Sequence, residues 1–291
     1  MADPIVIIGM SRSGTTFVAR LLESRPGVHL ETEPHMVWKA GSFAHIADDV
    51  VEDDARAAAW IRHTLLDAAG SRTLVEKSPV NCLRPELVHR VFPDARIIYV
   101  ERDAKRCIDS NYRRTLNHES MKPSIALRKY LTPKRTDRDF GAHLDATGGR
   151  SLRQQIRPRD WLPFTIYTVR LLWTRQTKGP LPFGPKTDGF VDIVRRRGPL
   201  AYHVEVLRIA QERKARFVEL YGDRLSEFRL EALQTDPAEI ERLFTFCGFE
   251  SDRASIDAII GDFDRELVDR ASRPGPHDSE IHQLMKTQGV L

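Results

Sequence analysis

The fold of this 291-residue chain is decided by its residues 4–16, which read PIVIIGMSRSGTT. The β-branched run stops at Gly9, a pattern typical of a strand that is buried on both faces of a parallel sheet. Apolar residues then recur at helical spacing from Thr15 onward, until Pro26 and Gly27 end the helix. The segment therefore predicts the first βα unit of an α/β protein, with a glycine-containing loop between its strand and its helix.

The rest of the chain continues to alternate between strands and helices. Further strands are predicted at residues 73–76, 95–101 and 226–230, and further helices at residues 85–92, 103–116, 201–221, 237–247 and 252–268. This alternation predicts a single α/β domain over residues 1–291, in which a parallel sheet is flanked by helices. Residues 117–189 are less periodic and are broken by Gly and Pro, so we predict that they form a partly helical insertion.

Composition and charge exclude several classes of protein. The chain has 41% hydrophobic residues, 30% charged residues and a mean hydropathy of -0.40, which is typical of neither disordered nor membrane-embedded proteins. Its formal net charge of +4 is too small to indicate wholesale binding to nucleic acid or to an anionic membrane. The sequence shows no secretory signal and no run of about 18 apolar residues. We therefore expect a cytoplasmic protein with no membrane partner.

The cysteines point to the same compartment. Cys82, Cys107 and Cys247 are odd in number and widely spaced. This pattern predicts neither a disulfide framework nor a zinc site, and it fits a reducing environment. We expect no metal, and the sequence indicates no oligomeric state.

The loop after the first strand has the composition of an anion-binding site. Its two glycines, Gly9 and Gly14, have the spacing of a phosphate-binding loop, which predicts a P-loop-NTPase-like sheet. Backbone N–H groups and the hydroxyls of Thr15 and Thr16 would cradle the anion. Thr15 takes the place of the usual P-loop lysine, and Arg12 is the basic residue of the loop, which disfavours ATP chemistry. The alternative is a tight turn in which Ser and Thr cap the helix.

Two segments together resemble the sulfotransferases that use 3′-phosphoadenosine 5′-phosphosulfate (PAPS). Residues 11–16, SRSGTT, are similar to the 5′-phosphosulfate loop of that family, and the strand at 97–101 runs into an arginine with a serine eight residues later, like the 3′-phosphate motif of the family. The resemblance implies that PAPS and its product 3′-phosphoadenosine 5′-phosphate (PAP) are bound by Arg12, Ser13, Gly14, Thr15, Thr16, Arg102 and Ser110. Arg273 lies either in a loop that closes over the donor or in a solvated tail.

Sulfuryl transfer needs a proton acceptor and a group that stabilises charge on the leaving oxygen. Glu33 stands where some members of the family carry a catalytic glutamate, which implies that it is the base, and His35 is the second candidate. A competing interpretation is that Glu33 only begins a helix, with Pro34 in its first turn. Lys77, at the end of a predicted strand, resembles the lysine that binds the bridging or sulfuryl oxygen. Pro79 replaces the histidine that serves as base in cytosolic members.

The resemblance implies an enzyme that transfers the sulfuryl group of PAPS to a hydroxyl of a small-molecule or carbohydrate acceptor by in-line displacement. Residues 117–189 would bind this acceptor or form a lid over it. Leu230 replaces a tyrosine that usually packs near the nucleotide, so the adenosine contacts depart from the family pattern. Residues 102–175 contain 17 Lys and Arg against 7 Asp and Glu, which suggests an anionic acceptor.

Two other functions compete with this interpretation. A P-loop phosphotransferase that uses ATP and Mg²⁺ would need the loop lysine that the sequence lacks. A non-catalytic protein that binds a nucleotide or a nucleic acid would use the basic insertion. Binding of RNA, however, would require aromatic residues interleaved with the basic ones. Residues 113–160 offer only Tyr130 and Phe140. We therefore expect no nucleic-acid partner.

Overall fold

The computed structural model describes residues 3–117, 155–179, 181–250, 256 and 275–290. Its centre is a five-stranded parallel sheet with the strand order β2-β3-β1-β4-β5. The strands are β1 (Ile5–Ile8), β2 (Val28–Thr32), β3 (Thr73–Lys77), β4 (Arg96–Glu101) and β5 (Leu225–Arg229). The predicted α/β class, a P-loop-like parallel sheet flanked by helices, is confirmed.

Ten α-helices lie in the described part of the chain. They are α1 (Thr15–Glu23), α2 (His35–Trp38), α3 (Ala55–Ala69), α4 (Pro85–Val91), α5 (Ala104–Leu116), α6 (Trp161–Lys178), α7 (Phe190–Tyr221), α8 (Leu230–Thr235), α9 (Pro237–Cys247) and α10 (Asp278–Thr287). A 3₁₀ turn at Pro79–Leu83 connects β3 to α4. None of these helices combines the length and the apolar character needed to cross a bilayer.

Several elements differ from the sequence predictions. Strand β2 and helices α3, α8 and α10 were not predicted. Helix α7 begins at Phe190, eleven residues before the predicted start, because two helical segments meet at Gly198 (φ 83°, ψ 165°) and Pro199. The predicted helix over 252–268 lies outside the described residues, apart from Ile256.

The core has two layers, one on each face of the sheet. Val6 and Ile8 of β1 face a cluster formed with α3, α4 and α7, whereas Ile5 and Ile7 face a cluster formed with α1 and α9. Successive side chains of a strand point to opposite faces, so a strand covered on both faces must be apolar throughout. This accounts for the uninterrupted β-branched run that begins the chain.

The strand order creates a crevice at one edge of the sheet. After β1 the chain turns toward β2 on one side, and after β4 it turns toward β5 on the other. Ligands of open α/β sheets bind outside the carboxyl ends of strands at such a switch point. Lys77 ends β3 at the same edge, where it lies opposite Ile7 of β1. The segments that follow β1, β3 and β4 therefore meet at this crevice.

Candidate active site

The loop between β1 and α1 lies against the backbone of β4. Gly9 has φ 151°, and a Cβ atom there would come within 2.3 Å of the Val100 carbonyl oxygen, so only glycine fits. Gly14 has φ 101° at the start of α1, and no side chain caps this helix. The first backbone N–H groups of α1 therefore keep their donors for a ligand in the crevice.

Ser13 supplies a hydroxyl that suits an anion. Its side chain is buried and lies over Gly9, 2.7 Å from where a Cβ atom of that residue would be. Among the residues that the structure describes, the Oγ atom has no hydrogen-bond partner. Buried hydroxyls normally have one, so an oxygen of a bound phosphate or sulfate would complete this site. Thr15 is buried beside it and Thr16 is exposed.

The structure brings together three of the residues that the sequence assigned to the two ends of the donor. The Nε atom of Arg12 donates to Ser110 Oγ at 3.1 Å, and the Arg102 guanidinium donates to the Arg12 carbonyl oxygen at 3.2 Å. Within the described ranges, no carboxylate forms an ion pair with Arg102. Asn111, which the sequence reasoning missed, donates to the Ser11 carbonyl at 2.8 Å and fixes the loop to α5.

Leu230 covers the loop from the other side. Its side-chain carbon Cδ1 lies 2.6 Å from where a Cβ atom of Gly14 would be, and the residue is buried. The leucine that departs from the expected tyrosine therefore packs on the loop between β1 and α1 itself. A larger residue at position 14 would displace it.

Glu33, Lys77 and His35 form a contiguous group at the ends of β2 and β3. Lys77 Nζ lies 2.6 Å from Glu33 Oε1, and His35 Nε2 lies 3.3 Å from Glu33 Oε2. The backbone adds a further contact, since Glu33 N–H donates to the Lys77 carbonyl at 2.7 Å. Lys77 is only 2% exposed, so its ammonium group depends on this carboxylate for charge compensation.

A tight turn at Pro34 sets the position of Glu33. The His35 N–H donates to the Glu33 carbonyl at 2.7 Å, and Pro34 has φ -73° and ψ 63°, the values of an inverse γ-turn. Glu33 itself has φ 51°, a left-handed conformation that is strained for a residue with a side chain and is frequent at functional sites. Helix α2 begins at His35, directly after Pro34, and the Glu33 carboxylate contacts the side chains of Lys77 and His35.

A family model described as the sulfotransferase family matches residues 4–147, the part of the chain that carries the loop, the Glu33–Lys77 pair and the start of α5. Residues 4–147 of the chain belong to the sulfotransferase family. This confirms the family and the enzyme class predicted from the motifs. No curated protein sequence gives a significant match.

Solved sulfotransferase structures resemble the chain at low identity. Mouse sulfotransferase SULT7A1 complexed with PAP is 13% identical with a TM-score of 0.42, over 94% of this chain and 67% of that one. Sulfotransferase STF9 from Mycobacterium avium is 11% identical with a TM-score of 0.49, over 99% and 76%. The sulfotransferase domain from the curacin biosynthetic pathway is 12% identical with a TM-score of 0.48, over 99% and 98%.

In this sulfotransferase the Glu33 carboxylate is held in its ionised form. Burial raises the pKa of Glu33, but the hydrogen bond with His35 and the positive charge of Lys77 outweigh burial and hold the pKa well below its usual range. At neutral pH the carboxylate is therefore ionised and able to accept a proton. Its basicity depends on how strongly Lys77 is engaged with it.

A buried carboxylate on the opposite face of β3 supports α2. Glu76 accepts hydrogen bonds from Trp38 Nε1 at 2.8 Å and from Ser78 Oγ at 2.5 Å, and it is fully buried. Burial raises its pKa to about 7, although these two hydrogen bonds lower it. Trp38 ends α2, the helix that begins at His35, so Glu76 fixes this helix to the sheet. Sequence reasoning missed Glu76, whose one signal is a carboxylate in an otherwise apolar strand.

Two further assignments concern the ends of the site. Arg273 lies outside the described residues, but a Cβ atom added at Gly275, two residues later, would lie 3.4 Å from the carboxyl group of Asp109 on α5, next to Ser110. As for metals, the part of the chain that the structure describes holds no group of three or more His, Cys, Asp or Glu side chains able to bind an ion.

Proposed function

We propose that this protein transfers the sulfuryl group of PAPS to a hydroxyl of a small-molecule or carbohydrate acceptor by in-line displacement. The observation that carries the proposal is the convergence of three segments at one edge of the sheet. The loop after β1 offers anion donors, the start of α5 offers Arg102 and Ser110, and the end of β3 offers Lys77 in contact with Glu33.

The residues around the loop fit a donor with two separate anionic ends. In our proposal the backbone of residues 12–16 and the unpartnered Ser13 hydroxyl hold the 5′-phosphosulfate. Arg102 and Ser110 hold the 3′-phosphate, because a guanidinium can fork onto two phosphate oxygens. The donor supplies a sulfuryl group that is activated by its bond to a phosphate leaving group. Arg12 lies between the two ends, where it contacts Ser110.

Glu33 and Lys77 divide the remaining chemistry in this proposal. Glu33 takes the proton of the acceptor hydroxyl as its oxygen bonds to sulfur. Lys77 donates to the phosphate oxygen that keeps the electron pair of the broken sulfur–oxygen bond. As negative charge develops beside Lys77, its positive field on Glu33 is partly neutralised, and the proton affinity of Glu33 rises. His35, which contacts the same carboxylate, is the alternative base.

Other parts of the chain complete the proposal. Residues 1–291 form one domain, and residues 117–189 bind the acceptor or close over it. Arg273 contacts the donor from a loop, because the chain two residues later lies beside α5 and two residues span about 7 Å at most. An acceptor with negative charge would suit the basic residues at 102–175. The three cysteines are free and buried, which fits a cytoplasmic enzyme.

Thermal unfolding with nucleotides tests the donor. PAP at about 100 times its Kd should add roughly 2.7 kcal/mol of apparent stability, and ATP with Mg²⁺ should add much less. The comparison separates the proposal from a phosphotransferase that uses the same loop. Stabilisation by ATP with Mg²⁺ and none by PAP would overturn it.

The transfer itself is tested with PAPS that carries a labelled sulfur. We expect the label to move to hydroxyl compounds in a screen that pairs each neutral acceptor with a phosphorylated analogue. Faster transfer to the phosphorylated member of each pair would support the anionic acceptor. Release of PAP without label on any acceptor would contradict the transferase activity.

A further inference from the structure

A cluster of charged side chains takes no part in the steps described above. It consists of one carboxylate, Asp48, and three cations, Lys39, Arg84 and Lys186, and we call it the Asp48 cluster. Arg84 donates to Asp48 Oδ1 at 3.1 Å, and Lys39 Nζ lies 3.8 Å from the same oxygen. The backbone N–H of Lys186 donates to Asp48 Oδ2 at 2.8 Å. One carboxylate is therefore shared by the segments that carry three positive charges.

The charges of the Asp48 cluster do not cancel. Burial raises the pKa of Asp48, but the charge of Arg84 and then that of Lys39 outweigh burial and hold this pKa below its ordinary value, so Asp48 is ionised. Asp49 is the other carboxylate whose charge acts on Lys39, and it accepts a hydrogen bond from the Asp188 N–H at 2.8 Å. The three cations outnumber both carboxylates. Buried cations normally have a counter-charge, so the cluster lacks negative charge.

The two lysines of the cluster keep hydrogen-bond donors for a ligand. Lys39 Nζ donates to the Ala47 carbonyl at 2.5 Å, and Lys186 Nζ donates to the Gly184 carbonyl at 3.3 Å. An ammonium group has three N–H donors, so each lysine can bind further acceptors. Burial lowers the pKa of Lys39 to about 8 despite the opposing charge of Asp48, and the charge of Lys186 adds to this fall. A bound anion would stabilise both ammonium groups.

The Asp48 cluster lies next to the residues of the proposed reaction. The Lys39 N–H donates to the His35 carbonyl at 3.0 Å, so these two side chains lie one helical turn apart on the same side of α2. His35 in turn contacts Glu33, the proposed base. A Cβ atom added at Gly184 would lie 3.1 Å from Ser11 Oγ, in the loop after β1. The two lysines therefore flank the crevice from α2 and from the segment before α7.

We propose that Lys39 and Lys186 bind a phosphate group of the acceptor. A phosphate monoester offers three acceptor oxygens and about -1.5 to -2 charges at pH 7, which suits two ammonium groups; a carboxylate offers one charge. Asp48 fixes the Lys186 backbone from both sides, since its own N–H donates to the Lys186 carbonyl at 2.5 Å. This cation is thus in place before the ligand arrives. The assignment of the phosphate to the acceptor rests on the proposed function.

Calorimetry with inorganic phosphate tests the site in protein saturated with PAP. PAP occupies the phosphate sites of the proposed donor, so the phosphate that still binds reports on another site. We expect acetate to bind at least about tenfold more weakly than phosphate. Lys39→Met and Lys186→Met should each weaken phosphate binding about 10- to 100-fold, because a charge-assisted contact is lost. Lys286→Met, at an exposed site on α10, is the control and should bind phosphate like the wild type.

Urea unfolding separates a binding role from a structural one. A lysine that served only to compensate Asp48 would stabilise the fold, and its loss would lower the urea midpoint. Arg84 keeps its contact with Asp48 in both variants. We therefore expect the midpoints of Lys39→Met and Lys186→Met to be no lower than that of the wild type, while phosphate binding is lost.

Transfer from PAPS with a labelled sulfur connects the site to the acceptor. In pairs of a neutral acceptor and its phosphorylated analogue, the ratio of kcat/KM values should favour the phosphorylated member. This preference should fall about tenfold or more in Lys39→Met and in Lys186→Met, and it should persist in Lys286→Met.

The failure of this inference differs from the failure of the proposed function. Protein that binds no PAP would contradict the proposed donor, whatever the phosphate titration shows. PAP-saturated protein that binds no phosphate would overturn the inference alone. So would phosphate binding that is equally tight in the wild type and both lysine variants, which would place the ion elsewhere in the crevice. Lower urea midpoints with unchanged phosphate affinity would make the cluster purely structural.

Discussion

Glu76→Gln should change how the stability of this sulfotransferase depends on pH. Glu76 is fully buried, and burial raises its pKa to about 7 from the ordinary value of 4.5. Glutamine keeps the acceptor oxygen for Trp38 and Ser78 but cannot ionise. Asn81 Nδ2 donates to Glu76 Oε2 at 3.5 Å, and if the Asn81 amide turns over in the variant, its Oδ1 atom can accept from the glutamine amide instead. The variant therefore imitates the protonated form of Glu76.

The magnitude follows from the difference between the two pKa values. Below pH 4.5 the carboxyl group is protonated in both the folded and the unfolded chain, so it contributes no pH dependence. Between pH 4.5 and 7 the unfolded chain loses this proton while the folded one keeps it, so the free energy of unfolding falls as pH rises. The total fall due to Glu76 is about 3 kcal/mol and is complete above pH 7.

Urea unfolding at several pH values between 4.5 and 8 measures this effect. The variant should match the wild type within about 1 kcal/mol at pH 4.5 and exceed it by up to about 3 kcal/mol at pH 8. Glu241→Gln, at an exposed site on α9, is the control. Its difference from the wild type in free energy of unfolding should not change with pH. A Glu76→Gln difference that does not change with pH would refute the reasoning.

Three further predictions concern the site. Glu33→Gln should lower turnover about 10²- to 10⁴-fold and leave PAP affinity nearly unchanged, because the proton acceptor is lost and the donor contacts are kept; steady-state kinetics and calorimetry measure the two. Arg102→Ala should weaken PAP binding about 10- to 100-fold by calorimetry, since a charge-assisted contact is lost. Gly9→Ala should destabilise the fold by about 2–3 kcal/mol more than Gly27→Ala in urea unfolding, because its methyl group would collide with a backbone carbonyl oxygen.

Each of these three predictions has a control or an outcome that would contradict it. Unchanged turnover in Glu33→Gln would transfer the base role to His35. Arg56→Ala, at an exposed site on α3, should bind PAP like the wild type, and equal affinity for Arg102→Ala would place the 3′-phosphate elsewhere. Gly27 also has a positive φ, but an added Cβ there would have no atom within 4 Å. Equal losses of stability in the two alanine variants would therefore show that a collision with the Val100 carbonyl oxygen is not the cause.

The sequence predicted the central strands well because they are buried on both faces and read as unbroken apolar runs. Strand β2 was missed since His29 and Glu31 interrupt its apolar residues. These two side chains lie two residues apart on one face of β2 and contact each other at 2.9 Å, an alternation that was present in the sequence. Helix α3 was missed although Asp54 caps it by accepting from two backbone N–H groups, a signal that was present in the sequence.

The candidate site was predictable in its residue types and not in its contacts. The motifs singled out Glu33 and Lys77 separately, but they are 44 residues apart, and only the pairing of β2 with β3 makes them neighbours. The positive φ of Glu33 follows from the turn at Pro34 and the bond to the Lys77 carbonyl, which are tertiary effects. The pKa of Glu76 depends likewise on burial that the sequence does not show.

The bond between Arg12 and Ser110 has a consequence for how the donor is selected. The contact between Arg12 and Ser110 already holds both side chains in place. In the proposed function, donor binding would replace this contact by charge-assisted contacts to phosphate, and the two side chains would lose little further conformational entropy. A nucleotide without a 3′-phosphate would leave Arg102 and Ser110 in their present contacts and gain nothing from them. In the proposed function, discrimination against adenosine 5′-phosphosulfate would arise from this preorganised pair of side chains, which rewards one additional phosphate.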